Sequence, residues 1–319
     1  AISRHCCWLK SGNSKGPRTE ARAALLHDTY TRITMSHATI NWISESVLRA
    51  STHRPFRVNE TALVGHQNLL GEVIRINGDE VVIQVYEDTS GLRPGDPVAG
   101  TGSELSVKLG PSLLGNIFDG LLRPLASQGR FAKPGAVQTR GEQRYPFKPS
   151  VSTGQQLAAG GIFGSINRTD ARSQRCLVPP GCEGEVVSVV DPGDYDEDHP
   201  LLLMRCTTGD EREISMAHRW PVRQPRPVAA HLPMEGPLFT GQRVLDSLFP
   251  LACGGRAAMP GGFGTGKTVL QETLAKWCDA DVIIYVGCGE RGNEMAGVLH
   301  EFPQLDAPNT GRPLMERTV

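Results

Sequence analysis

Eight residues constrain this chain more than any others. Gly261-Gly262-Phe263-Gly264-Thr265-Gly266-Lys267-Thr268 satisfies every fixed position of the pattern G-x-x-x-x-G-K-[ST]. The segment before it, Gly255-Arg256-Ala257-Ala258-Met259-Pro260, reads as a short apolar strand. After it, Val269, Leu270, Thr273, Leu274 and Trp277 give a helical pattern. Strand, glycine loop and helix in succession is the context the pattern needs, and it commits this region to an α/β arrangement. The glycines let the backbone fold back, so that successive N–H groups point inward as a nest for anions. The helix N-terminus adds about half a positive charge. Lys267 would reach the β- and γ-phosphates as a point charge, and the Thr268 hydroxyl would bind Mg²⁺. A glycine-rich turn with a chance lysine is the plainer alternative, but it explains neither the full spacing nor the flanking pattern.

Asp281-Val282-Ile283-Ile284-Tyr285-Val286-Gly287 is almost continuously apolar, which suits a parallel strand buried on both faces. Met295, Val298, Leu299 and Phe302 then mark an amphipathic helix. Between them lie Glu290 and Arg291, just past the carboxyl end of the strand, where ligands bind in open α/β sheets. Glu290 could polarise a water and Arg291 could neutralise charge at a γ-phosphate. An exposed loop ion pair is the alternative. No later apolar run ends in an aspartate that would serve as a second Mg²⁺-ordering carboxylate.

Composition narrows the partners. The chain has 319 residues, enough for two or three domains. Its 33 basic and 34 acidic side chains leave a net charge of -1, which argues against nucleic acid or anionic lipid as the main partner. No apolar run approaches the ~18 residues of a membrane span, so any membrane role would be peripheral. Cys6, Cys7, Cys176, Cys182, Cys206, Cys253, Cys278 and Cys288 show no C-x-x-C spacing. They read as scattered thiols in a reduced, cytosolic protein, with disulfides left open. The 36 glycines and 23 prolines imply many turns and short strands.

The organisation follows from these turns. Residues 1–34 carry Arg4, Lys10, Lys15, Arg18, Arg22 and Arg32 against Glu20 and Asp28, without apolar periodicity. They read as an unstructured or non-native extension, or as a basic presequence. Residues 38–105 hold alternating runs at Thr39–Ile43, Gly71–Ile76 and Val81–Tyr86, with Asn77-Gly78 as a hairpin turn and Pro94-Gly95-Asp96-Pro97 as another. This spacing predicts a small closed β-barrel or sandwich. Residues 126–150 read as a long loop or linker. Strand signals follow at 161–164, 176–178, 185–190 and 201–205. Asp191–Asp198 reads as a solvated acidic turn; a cation site is the alternative, although the calcium-loop spacing is absent.

Taken together, these residues resemble the catalytic A subunit of V-type and archaeal-type rotary ATPases. The likeness rests on Pro260–Thr268, on Tyr285–Met295, on Leu238–Pro250 and on Trp220–Pro227. It extends to Ile83–Thr89, Leu105–Val107, Leu109–Pro111 and Ile117–Gly120, and so spans roughly 38–319. The resemblance implies a mixed fold: a β-barrel over 38–105, the start of a nucleotide-binding domain over 106–125, a β-rich bulge insertion over 126–218 and a P-loop α/β domain over 219–319. It implies ATP and Mg²⁺ as cofactors, bound by Gly261–Thr268, with Thr268 on the metal. Lys267, Glu290 and Arg291 would be catalytic, Glu290 positioning the attacking water. The implied partners are a non-catalytic B subunit in an alternating hexamer, which supplies an arginine, and central and peripheral stalk subunits. The implied location is the cytoplasmic face of a membrane, reached through the complex.

Three departures qualify the likeness. Thr265 stands where many eukaryotic relatives carry cysteine, so thiol regulation at this loop is not expected. Glu45-Ser46 replaces a Gly-Pro turn, which puts the bend there in doubt. The chain runs through about half of the family's length, and the simplest expectation is a truncated piece of a longer protein, itself inactive. The other readings are a terminator or export ATPase of the same superfamily, against which the bulge-like insertion argues, and a non-catalytic truncated form.

Overall fold

A computed structural model describes residues 36–125, 143–169, 172–228, 230–262, 264–307 and 311–319. The expectations for residues 1–34, for most of the 126–150 loop and for Phe263 lie outside the described residues. The chain divides into two compact units, residues 1–105 and 106–319.

In the first unit, six strands close into an antiparallel barrel. They are β1 (His37–Ser44), β2 (Val47–Thr52), β3 (Glu60–Val64), β4 (Leu69–Asn77), β5 (Glu80–Val85) and β6 (Pro97–Glu104), in the order β1-β2-β5-β4-β3-β6. Alternation does the sorting: Leu48 and Ala50 of β2 and Val81, Ile83 and Val85 of β5 point into the core with Ile40, Val64 and Val73. Two turns differ from expectation. Asn77 pairs with Glu80, so the β4–β5 turn is Gly78-Asp79, and the positive φ of 59° falls on Gly78 alone. A glycine at the first central position suits the right-handed twist of the strands as well as Asn-Gly does. The Glu45-Ser46 bend does form, with Glu45 at φ 52°. The Thr89 hydroxyl donates to the Glu45 carbonyl at 2.7 Å, and the Val85 amide donates to that of Ser46 at 2.7 Å.

The second unit begins with β7 (Ser106–Leu109). Two four-stranded sheets follow, built from β8 (Arg144–Pro149), β9 (Gln156–Leu157), β10 (Ile162–Thr169), β11 (Arg172–Leu177), β12 (Gly184–Val189), β13 (Gly193–Asp196), β14 (Leu202–Cys206) and β15 (Glu211–Ile214). Their orders are β11-β10-β8-β13 and β15-β14-β12-β9. Tyr145, Phe147, Phe163 and Ile166 of the first share one core with Val186, Leu202, Met204 and Ile214 of the second. The chain leaves through β16 (His218–Pro221), which pairs antiparallel with β7.

Two sequence expectations are corrected in this region. Residues 144–149 are a strand, not part of a loop: Tyr145 and Phe147 alternate into the core and are 2% exposed. Pro146 and Pro149 conceal that alternation, because proline is expected only at strand edges. The acidic stretch is solvated at Asp191, Asp194, Asp196 and Asp198, as expected, but it is a strand followed by a turn, and Glu197 is not solvated. Residues 193–196 form β13, and Tyr195 packs edge-on against Phe147. Glu197 is buried and accepts from Lys108 Nζ at 2.9 Å and from the Ser112 hydroxyl at 3.0 Å. Burial pushes its carboxyl up, but the donors from Lys108 and Ser112 outweigh that and hold it below its ordinary value.

The last part of this unit carries β17 (Pro237–Leu238), α1 (Arg243–Leu248), β18 (Leu251–Ala252), α2 (Lys267–Trp277) and α3 (Gly292–Glu301). A small core of Ala275, Ile283, Val298, Phe302, Ala307 and Leu314 holds the two longer helices.

Candidate nucleotide site

Of the segment entering the glycine loop, only β18 is laddered, antiparallel to β17. The chain turns at Cys253-Gly254 and continues through 255–262 without strand pairing. The expected strand at 255–260 is therefore not formed: a strand exists only beside a partner that takes its N–H and C=O groups. The 281–287 run is corrected too. Ile283 and Tyr285 form a short parallel ladder with 317–319, through Ile283 N–H to Arg317 O at 2.8 Å and Tyr285 N–H to Val319 O at 3.0 Å. Only one face is covered: Ile283 is 7% exposed, whereas Ile284 and Val286 are 71% and 77% exposed.

The loop is described at residues 261–262 and 264–268. Gly264 and Gly266 sit at φ 76° and 82°, a left-handed conformation that a β-carbon disfavours. Gly266 is the N-cap of α2 and brings no side-chain cap, so the first-turn amides have no acceptor within the helix. The Lys267 amine folds back across the loop onto the Gly261 carbonyl. Thr265 Oγ1 donates to the Gly262 carbonyl at 2.9 Å, and a β-carbon at Gly261 would lie 2.6 Å from that same hydroxyl. Glycines, an ammonium and a helix N-terminus without a side-chain cap stand on one loop, a donor set whose chemistry suits an anion such as phosphate. Thr268 stands in the first turn of α2 beside this donor set.

Glu290 and Arg291 are exposed, at the carboxyl end of the 281–287 segment, and Arg291 is the N-cap of α3. Gly287 lets α3 approach: a β-carbon there would lie 2.3 Å from the Met295 sulfur. Helices α2 and α3 are tied by Lys276, whose amine meets Glu301 at 2.7 Å. The face of α2 that packs carries Leu274 and Ala275; Val269 and Trp277 of the expected pattern are exposed.

Sequence reasoning missed the residues that hold the far end of α2. Arg317 is 5% exposed, and its guanidinium reaches the carbonyls of Lys276, Cys278 and Ala280. A cation on the last carbonyls caps a helix and opposes its dipole. Asp246 accepts from the Thr240 hydroxyl at 2.7 Å and from the Thr240 amide at 2.9 Å, and these donors lower its pKa. This fixes Gly241, where a β-carbon would lie 2.9 Å from that of Trp277. Neither residue has a role legible in the sequence, although Asp246 lies in the Leu238–Pro250 stretch of the likeness; only the Thr-Gly-x-x-x-x-Asp spacing hints at it.

A closed barrel, a two-sheet insertion and a P-loop module, in that order along one chain, define a nucleotide-binding protein of the barrel-bearing P-loop class. Three family models match in the same order: the ATP synthase alpha/beta family beta-barrel domain over residues 57–102, the ATP synthase alpha/beta subunit barrel-sandwich domain over 138–223, and the ATP synthase alpha/beta family nucleotide-binding domain over 241–319. The chain belongs to the ATP synthase alpha/beta family. It is 48% identical over 276 residues to the A subunit of the A-type ATP synthase of Thermococcus sibiricus, a match covering 85% of this chain and 47% of the relative. It is 48% identical over 269 residues to the corresponding A-type ATP synthase chain of Methanopyrus kandleri, covering 82% and 45%. It is 46% identical over 286 residues to the V-type ATP synthase alpha chain of Halothermothrix orenii, covering 88% and 48%. The chain thus spans about half the length of these relatives.

Proposed function

We propose that this chain is the catalytic subunit of a rotary ATPase, coupling ATP hydrolysis or synthesis to proton or sodium transport. The observation that carries the reading is the glycine loop with its donor set at the N-terminus of α2, in a chain with the barrel and insertion of its ATP synthase relatives. The relatives' names support this over a terminator or export ATPase.

In this reading, Gly261–Thr268 bind the phosphates of ATP, and Lys267 exchanges the Gly261 carbonyl for phosphate oxygens. Thr268 would hold Mg²⁺, which, when bound, neutralises phosphate charge. Glu290 orients and deprotonates the attacking water, and Arg291 balances charge near the phosphates. The partners are a non-catalytic B subunit in an alternating ring, and stalk subunits. Among the described residues no helix is long and apolar enough to cross a membrane, which fits a peripheral component on the cytoplasmic face of a membrane complex.

The test uses the whole catalytic chain within its assembled complex. Lys267→Ala should abolish turnover, because the γ-phosphate loses its main cationic contact. Glu290→Gln should keep ATP binding and lose hydrolysis by about 100-fold or more, the range of general-base effects. A Gln variant that turns over within threefold of wild type would remove Glu290 from the mechanism.

A further inference from the structure

Arg317 joins the two elements that carry the site. Its guanidinium meets the carbonyls of Lys276, Cys278 and Ala280 at the end of α2. Its own carbonyl accepts from the Ile283 amide at 2.8 Å, and the Val319 carbonyl accepts from the Tyr285 amide at 3.0 Å. Helix α2 carries Lys267 and Thr268 at its other end. The chain through Ile283 and Tyr285 runs on to Glu290. The phosphate-binding loop and the carboxylate proposed to orient water therefore share one anchor.

That anchor is the firm end of both. Ala275, in the last turn, is the buried residue of α2, and the turns nearer the loop contribute none. Arg317, Ile283 and Leu314 are all buried. The Lys276–Glu301 ion pair joins α2 to α3 at the same end, but the Glu301 side chain is 56% exposed, and a pair so solvated contributes little. A helix of 11 residues is about 16 Å long. A tilt of about 4° at its anchored end carries the other end about 1 Å. An error of about 1 Å between reacting groups costs on the order of 100-fold in rate.

We propose, on the ATPase reading given above, that Arg317 is a positioning residue for hydrolysis: it sets the separation between the phosphates held at Lys267 and the water oriented by Glu290. It touches neither group. Its guanidinium fixes the end of α2 through carbonyls on alternate residues, and its backbone holds the 281–287 segment beside that end. A point charge on a flexible stem holds one such carbonyl at a time, whereas a planar fork spans several. Loosening the anchor leaves the loop's own geometry in place, because Lys267 and Thr265 bond to carbonyls inside the loop. ATP binding is then kept while the alignment of water with the γ-phosphate is lost, so the deficit falls on the transition state.

The test is a double-mutant cycle in the whole catalytic chain within its assembled complex. Arg317→Met should lower kcat about 10- to 100-fold with KM for ATP changed less than about threefold. In the Glu290→Gln background the same substitution should cost less than about threefold, because the group it positions is already lost. Arg317→Lys should recover part of kcat. If the Met complex does not assemble, Arg317→Gln, which keeps one donating group, takes its place with the same expectations. Three outcomes overturn the proposal: kcat within threefold of wild type, KM raised as much as kcat is lowered, or losses that multiply with that of Glu290→Gln, as loss of folded enzyme alone would give. A Lys267→Ala complex that still turns over would instead overturn the ATPase reading, and this role with it.

Discussion

Glu197 is a carboxylate taken out of water and met there by Lys108, the Ser112 hydroxyl and the Ser112 amide. Gly110 makes room for it, since a β-carbon there would lie 2.7 Å from Glu197 Oε2. Because its folded-state pKa is lowered, the unfolded chain takes up the proton first as pH falls. The stabilisation is complete above the ordinary carboxylate value of about 4.3 and is lost as pH falls through the lower folded value. Glu197→Gln should cost about 2 kcal/mol at neutral pH, less than a fully buried pair, because Lys108 keeps Asp198 at 2.5 Å. Urea titrations from pH 7 to pH 3 should show the gap between the two proteins closing on the acid side; a gap that stays constant would mean that the charge contributes nothing. At this scale the candidate site was legible as far as its motif reached. Lys267 and Thr268 announce themselves by spacing. Arg317 acts on backbone carbonyls 37 to 41 residues away, and no spacing encodes such a contact, whereas Asp246 closes on Thr240 six residues before it.

Elements obey the same division. Strands β1, β4 and β5 read from alternation, because one face meets the core and the other meets water; β3 and β6 did not, and β3 is covered on both faces. Nor did β8, since its two prolines imitate a loop while Tyr145 and Phe147 provide the core contacts. The 281–287 run read correctly as parallel but not as doubly buried, because apolarity reports what a strand tolerates on a face and not what covers it. Helix α2 depends on its C-terminal anchor. Arg317→Met should cost about 2–3 kcal/mol by orphaning buried carbonyls, with Arg317→Lys intermediate because an ammonium has no fork. Amide hydrogen exchange in the last turn of α2 should quicken in the Met variant; unchanged protection there would show that the cap is dispensable. The β1–β2 turn offers the opposite case. Glu45 holds a left-handed φ of 52°, and Glu45→Gly should stabilise the barrel by about 0.5–1 kcal/mol, the relieved strain exceeding the added freedom of the unfolded chain. A lower denaturation midpoint for the glycine variant would show that the Glu45 side chain contributes more than its backbone costs.

For the whole molecule, the insertion is the part with its own core and without a phosphate-binding motif, which suits contact and not chemistry. Given the rotary reading, its removal should uncouple the complex. The cut has to retain His218–Pro221, which pairs with β7, so residues 126–217 are the piece to excise. ATP hydrolysis and ion pumping would be measured together in vesicles carrying the assembled variant. Pumping should fall while hydrolysis persists; equal retention of both would make the insertion a passive one. The barrel poses a different question of assembly. Each sheet of the insertion ends in open strands, β11 and β13 in one and β15 and β9 in the other, so a neighbour can join it by extending a ladder. The barrel is closed, so among the described residues it presents no edge strand. Anything that grips it must do so through side chains and turn tips, one residue at a time. Its recognition is therefore written in surface identity and can drift by single substitutions, whereas the insertion can be recognised by a partner blind to sequence.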